Sequence, residues 1–173
     1  MFIYFSTISI QDPSLKSTAY VKHKLEMESL ILNHPGAKIF RLGQLASKNM
    51  GNPNNLLNFL NDSTKKNKKI EIWANALRSI IDVDDVVKIV NYIITKKSTK
   101  EKIINICNPR LNMVKEIVDV FTKLHNKKIK YSLLDKGAFF QIESKLMMET
   151  AFFLDIKFNK SYLERVLRKY YLE

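Results

Sequence analysis

Ala19-Tyr20-Val21-Lys22-His23-Lys24-Leu25-Glu26-Met27-Glu28 is the stretch on which the fold of this chain turns. It reads as the first turns of a helix in which Tyr20 and Lys24 stand one turn apart. At about 3.6 residues per turn, that spacing puts both side chains on one face. A phenol beside an ammonium can serve as an acid/base pair, because a neighbouring cation stabilises the phenolate. The same spacing occurs in ordinary amphipathic helices, so its meaning depends on what surrounds it. Upstream, Phe2-Ile3-Tyr4-Phe5 is an aromatic and β-branched run that opens into the hydroxyl-rich Ser6-Thr7-Ile8-Ser9. That is the pattern of a buried strand followed by a loop.

Downstream, the helix is expected from about Ser17 to Leu32, ended by His34-Pro35-Gly36. Ala37 to Leu42 then reads as the next strand. Strand, helix, strand in this order favours a right-handed crossover in an α/β sheet. It predicts parallel pairing of Phe2–Phe5 with Ile39–Leu42. Further along, Asn52-Pro53-Asn54-Asn55 should cap a helix from Leu56 to Ser63, before a strand from Ile70 to Trp73. In Arg78-Ser79-Ile80-Ile81-Asp82-Val83-Asp84-Asp85-Val86-Val87 a short strand should carry Arg78 to a cleft, with Asp84 and Asp85 capping the next helix. Helices are expected over 84–95, 112–124 and 138–153 and from about 158 onward, and strands over 102–107 and 129–133.

The chain has 173 residues, 46% of them hydrophobic, enough for a core of ordinary size. No apolar run approaches the length of a membrane span, and the N-terminus lacks the basic flank of a signal peptide. The single cysteine, Cys107, excludes an internal disulfide and should pack beside its strand. His23, His34 and His125 are far apart and suggest no metal site. A reducing cytoplasm is the expected setting, with no membrane partner. The net charge of +12 comes from lysines in short clusters, such as Lys65-Lys66-Asn67-Lys68-Lys69, Lys96-Lys97 with Lys100, and Lys127-Lys128. With no Arg-rich helix, zinc spacing or aromatic platform to organise them, they read as a solvated surface, and no nucleic-acid partner is expected.

Taken together, the strand, the Ser/Thr loop and the Tyr-x-x-x-Lys helix resemble the active-site segment of the extended short-chain dehydrogenase/reductases. These are the NAD-dependent epimerase/dehydratase family, whose members act mostly on nucleotide sugars. The resemblance places Thr7 on the residue that holds the reacting oxygen, Tyr20 on the acid/base and Lys24 on the residue that grips the cofactor ribose. Leu25 and Glu28 fit the family's Lys-Leu-x-x-Glu continuation. Arg41-Leu42-Gly43-Gln44-Leu45 is similar to the segment that closes the substrate pocket, with Gln44 where relatives keep a substrate-binding Asn. The Arg78 to Val87 block resembles the family's Arg-x-[Phe/Tyr]-[Ile/Val]-His-Val-x-Asp, with Asp82 replacing the His and Arg78 on the clamp for the substrate diphosphate.

This resemblance implies an α/β fold holding part of a doubly wound parallel sheet, the second half of a Rossmann-like fold, with a small α/β substrate-binding portion. Residues 1–45 would be the remnant of the dinucleotide-binding sheet. Residues 46–173 would mostly bind substrate, with 84–110 packing back on the sheet. It also implies NAD or NADP as cofactor, a nucleotide-sugar substrate and a role in surface polysaccharide biosynthesis. Yet Gly36, Gly43, Gly51 and Gly137 are too scattered to form the glycine turn that cradles the cofactor pyrophosphate. Without that half, Phe2–Phe5 should present an unpaired edge and an apolar face. The chain would then be inactive alone. It would need a separate N-terminal cofactor-binding half, self-associate, or serve as a cofactor-free binding module. Within the same superfamily, a thioester reductase is the neighbouring alternative.

Overall fold

In the computed structural model, residues 1–48, 55–96 and 99–172 are described. Strands β1 (Phe2–Thr7), β2 (Ala37–Leu42) and β7 (Ile103–Ile106) form a parallel sheet in the order β1-β2-β7. β1 and β2 pair from Phe2↔Ala37 to Thr7↔Leu42, and β2 and β7 from Ile39↔Ile103 to Leu42↔Ile106. The predicted parallel pairing is therefore present, and β1 runs two residues further, carrying Ser6 and Thr7 on the strand itself. Among the described residues β1 pairs on one edge only, and Phe2 and Phe5, which alternate to opposite faces of the sheet, are both exposed.

The crossover is made by α1 (Ala19–Leu32), which begins after Thr18, whose hydroxyl accepts the Val21 amide. Two 3-10 turns, Ile8–Gln11 and Pro13–Leu15, separate it from β1. Only Val21, Glu28 and Ile31 of α1 are buried, while Leu25 and Leu30 face solvent. Glu28 is the unusual member of that stripe. Its two oxygens receive Arg41 Nε at 2.9 Å and Nη2 at 2.5 Å, a two-pronged pair joining α1 to β2.

Beyond β2 the chain builds three short two-stranded pairings. β3 (Gln44–Ala46) is parallel to β6 (Ile80–Asp82), and β4 (Ile70–Trp73) is parallel to β9 (Tyr131–Leu134). β5 (Leu77–Arg78) is antiparallel to β8 (Asn112–Met113). Helices α2 (Leu56–Lys65), α4 (Val114–His125) and α6 (Tyr162–Tyr171) enclose one core with Leu57, Leu60, Ile117, Phe121 and Leu167. A second core joins Phe40 and Ile104 of the sheet to α3 (Val83–Thr95) and α5 (Lys145–Phe153) through Ile89, Ile93 and Met147.

Three expectations are corrected. Asp84 and Asp85 do not cap α3: the strand stays extended through Asp82, so Asp82 falls at the cap and its Oδ1 accepts the Asp84 amide at 2.9 Å. The two following carboxylates bind α6 instead, Asp84 receiving Lys169 Nζ at 2.6 Å and Asp85 the Tyr162 hydroxyl at 2.7 Å. Asn112 and Met113 are strand rather than helix, because they pair with Leu77 and Arg78. The helix expected over 138–153 begins only at Lys145. Just before that segment, Gly137 has φ +96° and lies so close to Ala76 that a Cβ would come within 2.4 Å of its amide nitrogen. Asn52, Pro53, Asn54, Gly51 and Lys97 lie outside the described residues, and Asn55 caps α2 by accepting the Leu57 amide.

Removing one member of a buried ion pair strands the other, at a cost of about 3–5 kcal/mol. Glu28→Gln is therefore expected to lower the unfolding free energy by about 3 kcal/mol. Replacing both members, Glu28→Leu with Arg41→Met, should recover most of that loss in urea denaturation. Equal losses in the single and double variants would mean that apolar packing holds α1 instead.

Candidate active site

The C-terminal end of β1, the start of α1, the β2–β3 joint and β5 converge on a cavity of about 390 Å³. Thr7, Tyr20, Gln44 and Arg78, four residues far apart in sequence, line it together. Thr7 is buried and caps the first 3-10 turn, accepting the Ser9 amide at 3.2 Å and donating to Ser9 Oγ at 3.1 Å. Tyr20, in the first turn of α1, is exposed towards the cavity. Lys24, one turn on, donates to the Phe5 carbonyl and to the Tyr4 hydroxyl, both at 3.2 Å, with its ammonium 4.9 Å from the Tyr4 ring centre. Lys24 is thus clamped along β1, beside the cavity rather than in its wall.

Gln44 is positioned by the chain's closest approach at this wall. Its amide donates to the Ser79 carbonyl at 2.7 Å, and a Cβ on the preceding Gly43 would meet that same oxygen at 2.8 Å. Only glycine allows β2 to turn into β3 so near Ser79. Arg78 faces the cavity from β5. Its Nη1 donates to the Leu77 carbonyl at 2.7 Å and to Asp12 Oδ2 at 3.4 Å. Burial pushes the Arg78 pKa below its ordinary value, while the Asp12 carboxylate acts in the opposite direction.

Sequence reasoning passed over Asp12, Ser79 and Phe140, which also line this cavity. Asp12 lies between the two 3-10 turns, where its side chain accepts the Ser14 amide, and Phe140 lies in a segment read as helix. The arrangement can hold an oxygen at Thr7, exchange a proton at Tyr20 and bind an anion at Arg78. Among the described residues no glycine turn opens onto a helix N-terminus, so the residues present do not fit a whole dinucleotide. No group of three or more His, Cys, Asp or Glu is arranged among them to hold a metal, and no helix is long and apolar enough to cross a membrane.

This fold and site define a Rossmann-like α/β protein with a Tyr-x-x-x-Lys helix. The sequence model of the NAD dependent epimerase/dehydratase family matches residues 7–107, and the chain belongs to that family. No curated protein matches it in sequence. Among solved structures it is similar to dTDP-glucose 4,6-dehydratase from Bacillus anthracis in complex with NAD. The TM-score is 0.73 at 16% identity, over 96% of this chain and 59% of that one. It is also similar to UDP-glucuronic acid 4-epimerase from Bacillus cereus in complex with UDP-glucuronic acid and NAD. There the TM-score is 0.73 at 19% identity, over 98% and 60%. RMD from Pseudomonas aeruginosa, complexed with NADPH, gives 0.69 at 12% identity, over 96% and 64%. The chain therefore spans about three fifths of the length of the structures it matches.

Cys107, the residue after β7, is fully buried beside Ser79, and burial pushes its thiol up to about 12 from 9.0. The folded protein then keeps a proton that the unfolded chain releases. This stabilisation is intact below about pH 9 and is lost as pH rises from there towards 12. Cys107→Ala should shift stability by a constant amount below pH 9 and then fall less steeply than the parent. The difference in slope should reach about 1.4 kcal/mol per pH unit in denaturation curves. Parallel slopes would place the thiol in contact with solvent.

Proposed function

We propose that this chain is the substrate-side portion of an NAD(P)-dependent epimerase, dehydratase or reductase acting on a nucleotide-activated sugar. The observation that carries the reading is that Thr7, Tyr20, Gln44 and Arg78 share one cavity while Lys24 lies one helical turn behind Tyr20. In this reading Thr7 holds the reacting sugar oxygen, Tyr20 takes or returns its proton, and Arg78 binds the diphosphate through its planar donor fork. Gln44 hydrogen-bonds the nucleotide-sugar. Lys24 meets the cofactor ribose, and Tyr4 and Phe5 keep it aligned with β1. NAD or NADP, when bound, supplies hydride transfer. Residues 1–45 act as the sheet remnant of the dinucleotide-binding region. Residues 46–173 act mostly as the substrate portion, with 84–110 packed back on the sheet.

The cofactor cradle comes from outside these 173 residues, and the protein works in the cytoplasm on precursors of surface polysaccharide. Supporting the outside half are the open edge of β1 and the exposure of Phe2 and Phe5 along that strand. An unpaired strand edge is a template for another strand. The same edge favours the second reading, a cofactor-free module that binds a partner chain there.

The contacts offered to a dinucleotide by Tyr20 and Lys24 are a few hydrogen bonds of about 0.5–1.5 kcal/mol net each. Association costs at least about 4 kcal/mol in lost freedom. The 173-residue chain is thus expected to bind neither NADH nor NADPH at sub-millimolar concentration in calorimetry. Adding a glycine-rich half from a relative should restore cofactor binding and turnover of a nucleotide sugar. Tyr20→Phe should then cut turnover by about 10²-fold or more. Micromolar cofactor binding by the chain alone, or turnover indifferent to Tyr20, would refute the assignment.

A further inference from the structure

The contact between Asp12 and Arg78 joins two elements that the proposed reaction does not link. Asp12 is almost wholly buried where the two 3-10 turns meet. Its Oδ1 is held by its own turn, accepting the Ser14 amide at 2.9 Å and the Ser14 hydroxyl at 2.6 Å. That leaves Oδ2 directed at Arg78 Nη1, 3.4 Å away. Charge-assisted pairs commonly close to about 2.7–2.9 Å, so this contact is loose. Arg78 Nε and Nη2 have no partner among the described residues.

Asp12 and Arg78 are also the only Asp, Glu, Lys or Arg side chains among the described residues lining the cavity. Their charges cancel. An anion entering beside Arg78 therefore meets a neutral wall with a fixed carboxylate in it, not a bare cation. We propose that Asp12 is the resident counter-anion of Arg78, which the phosphoryl oxygens of an incoming ligand replace. This rests on Arg78 being the diphosphate-binding residue of the reading above. Asp12 stays hydrogen-bonded to Ser14 when Arg78 leaves it, so the exchange moves the guanidinium without unfolding the turn. The carboxylate thereby sets a threshold. A multiply charged diphosphate, matched to the planar fork, displaces it, whereas a single carboxylate on a ligand gains nothing by the exchange.

Asp12→Asn removes the charge and keeps an acceptor for the Ser14 amide, since Asn is an equally good cap. Asp12→Ser, a smaller capping residue, is the second variant should the first fold poorly. Parent and variants would be titrated with inorganic pyrophosphate and with UDP-glucuronic acid, and Arg78 labelled with phenylglyoxal without ligand. Both variants are expected to bind pyrophosphate about fivefold tighter or better, as loss of one opposing charge implies. Arg78 should also be labelled faster in both. Unchanged or weaker pyrophosphate binding with unchanged labelling, including the case in which no form binds, overturns the proposal. If pyrophosphate tightens as expected but UDP-glucuronic acid binds no better than pyrophosphate, Asp12 keeps its role and the nucleotide-sugar reading falls. If UDP-glucuronic acid binds every form equally well, the nucleotide-sugar reading stands and the counter-anion role falls.

Discussion

The ion pair between Glu28 and Arg41 is the constraint on which the site depends. α1 must be fixed against β1 and β2, because it carries Tyr20 and Lys24 on one side of the cavity. Its apolar attachment is thin, with Val21 and Ile31 its only buried hydrophobic residues. A carboxylate in that stripe would be costly by itself, and a guanidinium on β2 equally so. Meeting as a two-pronged pair, they fix the rotation of the helix as well as its distance from the sheet. That rotation sets Tyr20 into the cavity and lays Lys24 along the backbone of β1. The C-terminal end of β1 brings Thr7 to the cavity and the turn that follows β2 brings Gln44, the side on which open α/β sheets place their ligands.

The second wall is assembled differently. Arg78 arrives on a two-residue strand whose position depends on pairing with Asn112 and Met113 and on the close approach of Gly43 to Ser79. It is tied to the C-terminal helix by the polar cluster at the head of α3, where Asp82, Asp84 and Asp85 receive Lys169, Tyr170 and Tyr162. Burial raises the Tyr162 pKa, with the Asp85 and Asp82 charges acting in the same direction, so its hydroxyl stays protonated and keeps donating to Asp85. The substitution of Asp82 for the expected His thus has a local structural use. It caps α3 and anchors α6 at one point.

Much of this was legible from sequence because the signals are local. The aromatic and β-branched run of β1, the Pro-Gly stop after α1 and the apolar run of β2 imply a parallel crossover through neighbouring residues alone. Tyr20 and Lys24 share one helix face by periodicity. Asp12 was not legible, since a turn-forming Asp looks the same whether or not an arginine 66 positions away reaches it. Nor was the assignment of Asn112 and Met113 to a strand, which is settled by pairing with a distant segment. The delayed start of α5 belongs to the same class. The chain just before it is committed to packing against Ala76 through Gly137, and residues 138–144 are not helical.

The cavity between α1 and β5 is proposed as the ligand site of this chain. Amide chemical shifts of isotope-labelled protein, followed during titration with UDP-glucuronic acid, map where a nucleotide sugar binds. The largest perturbations are expected on Thr7, Tyr20, Gln44, Ser79 and Arg78. Perturbations confined to the free edge of β1 or to the surfaces of α2 and α4, with those five residues unmoved, would place the ligand elsewhere and refute this site.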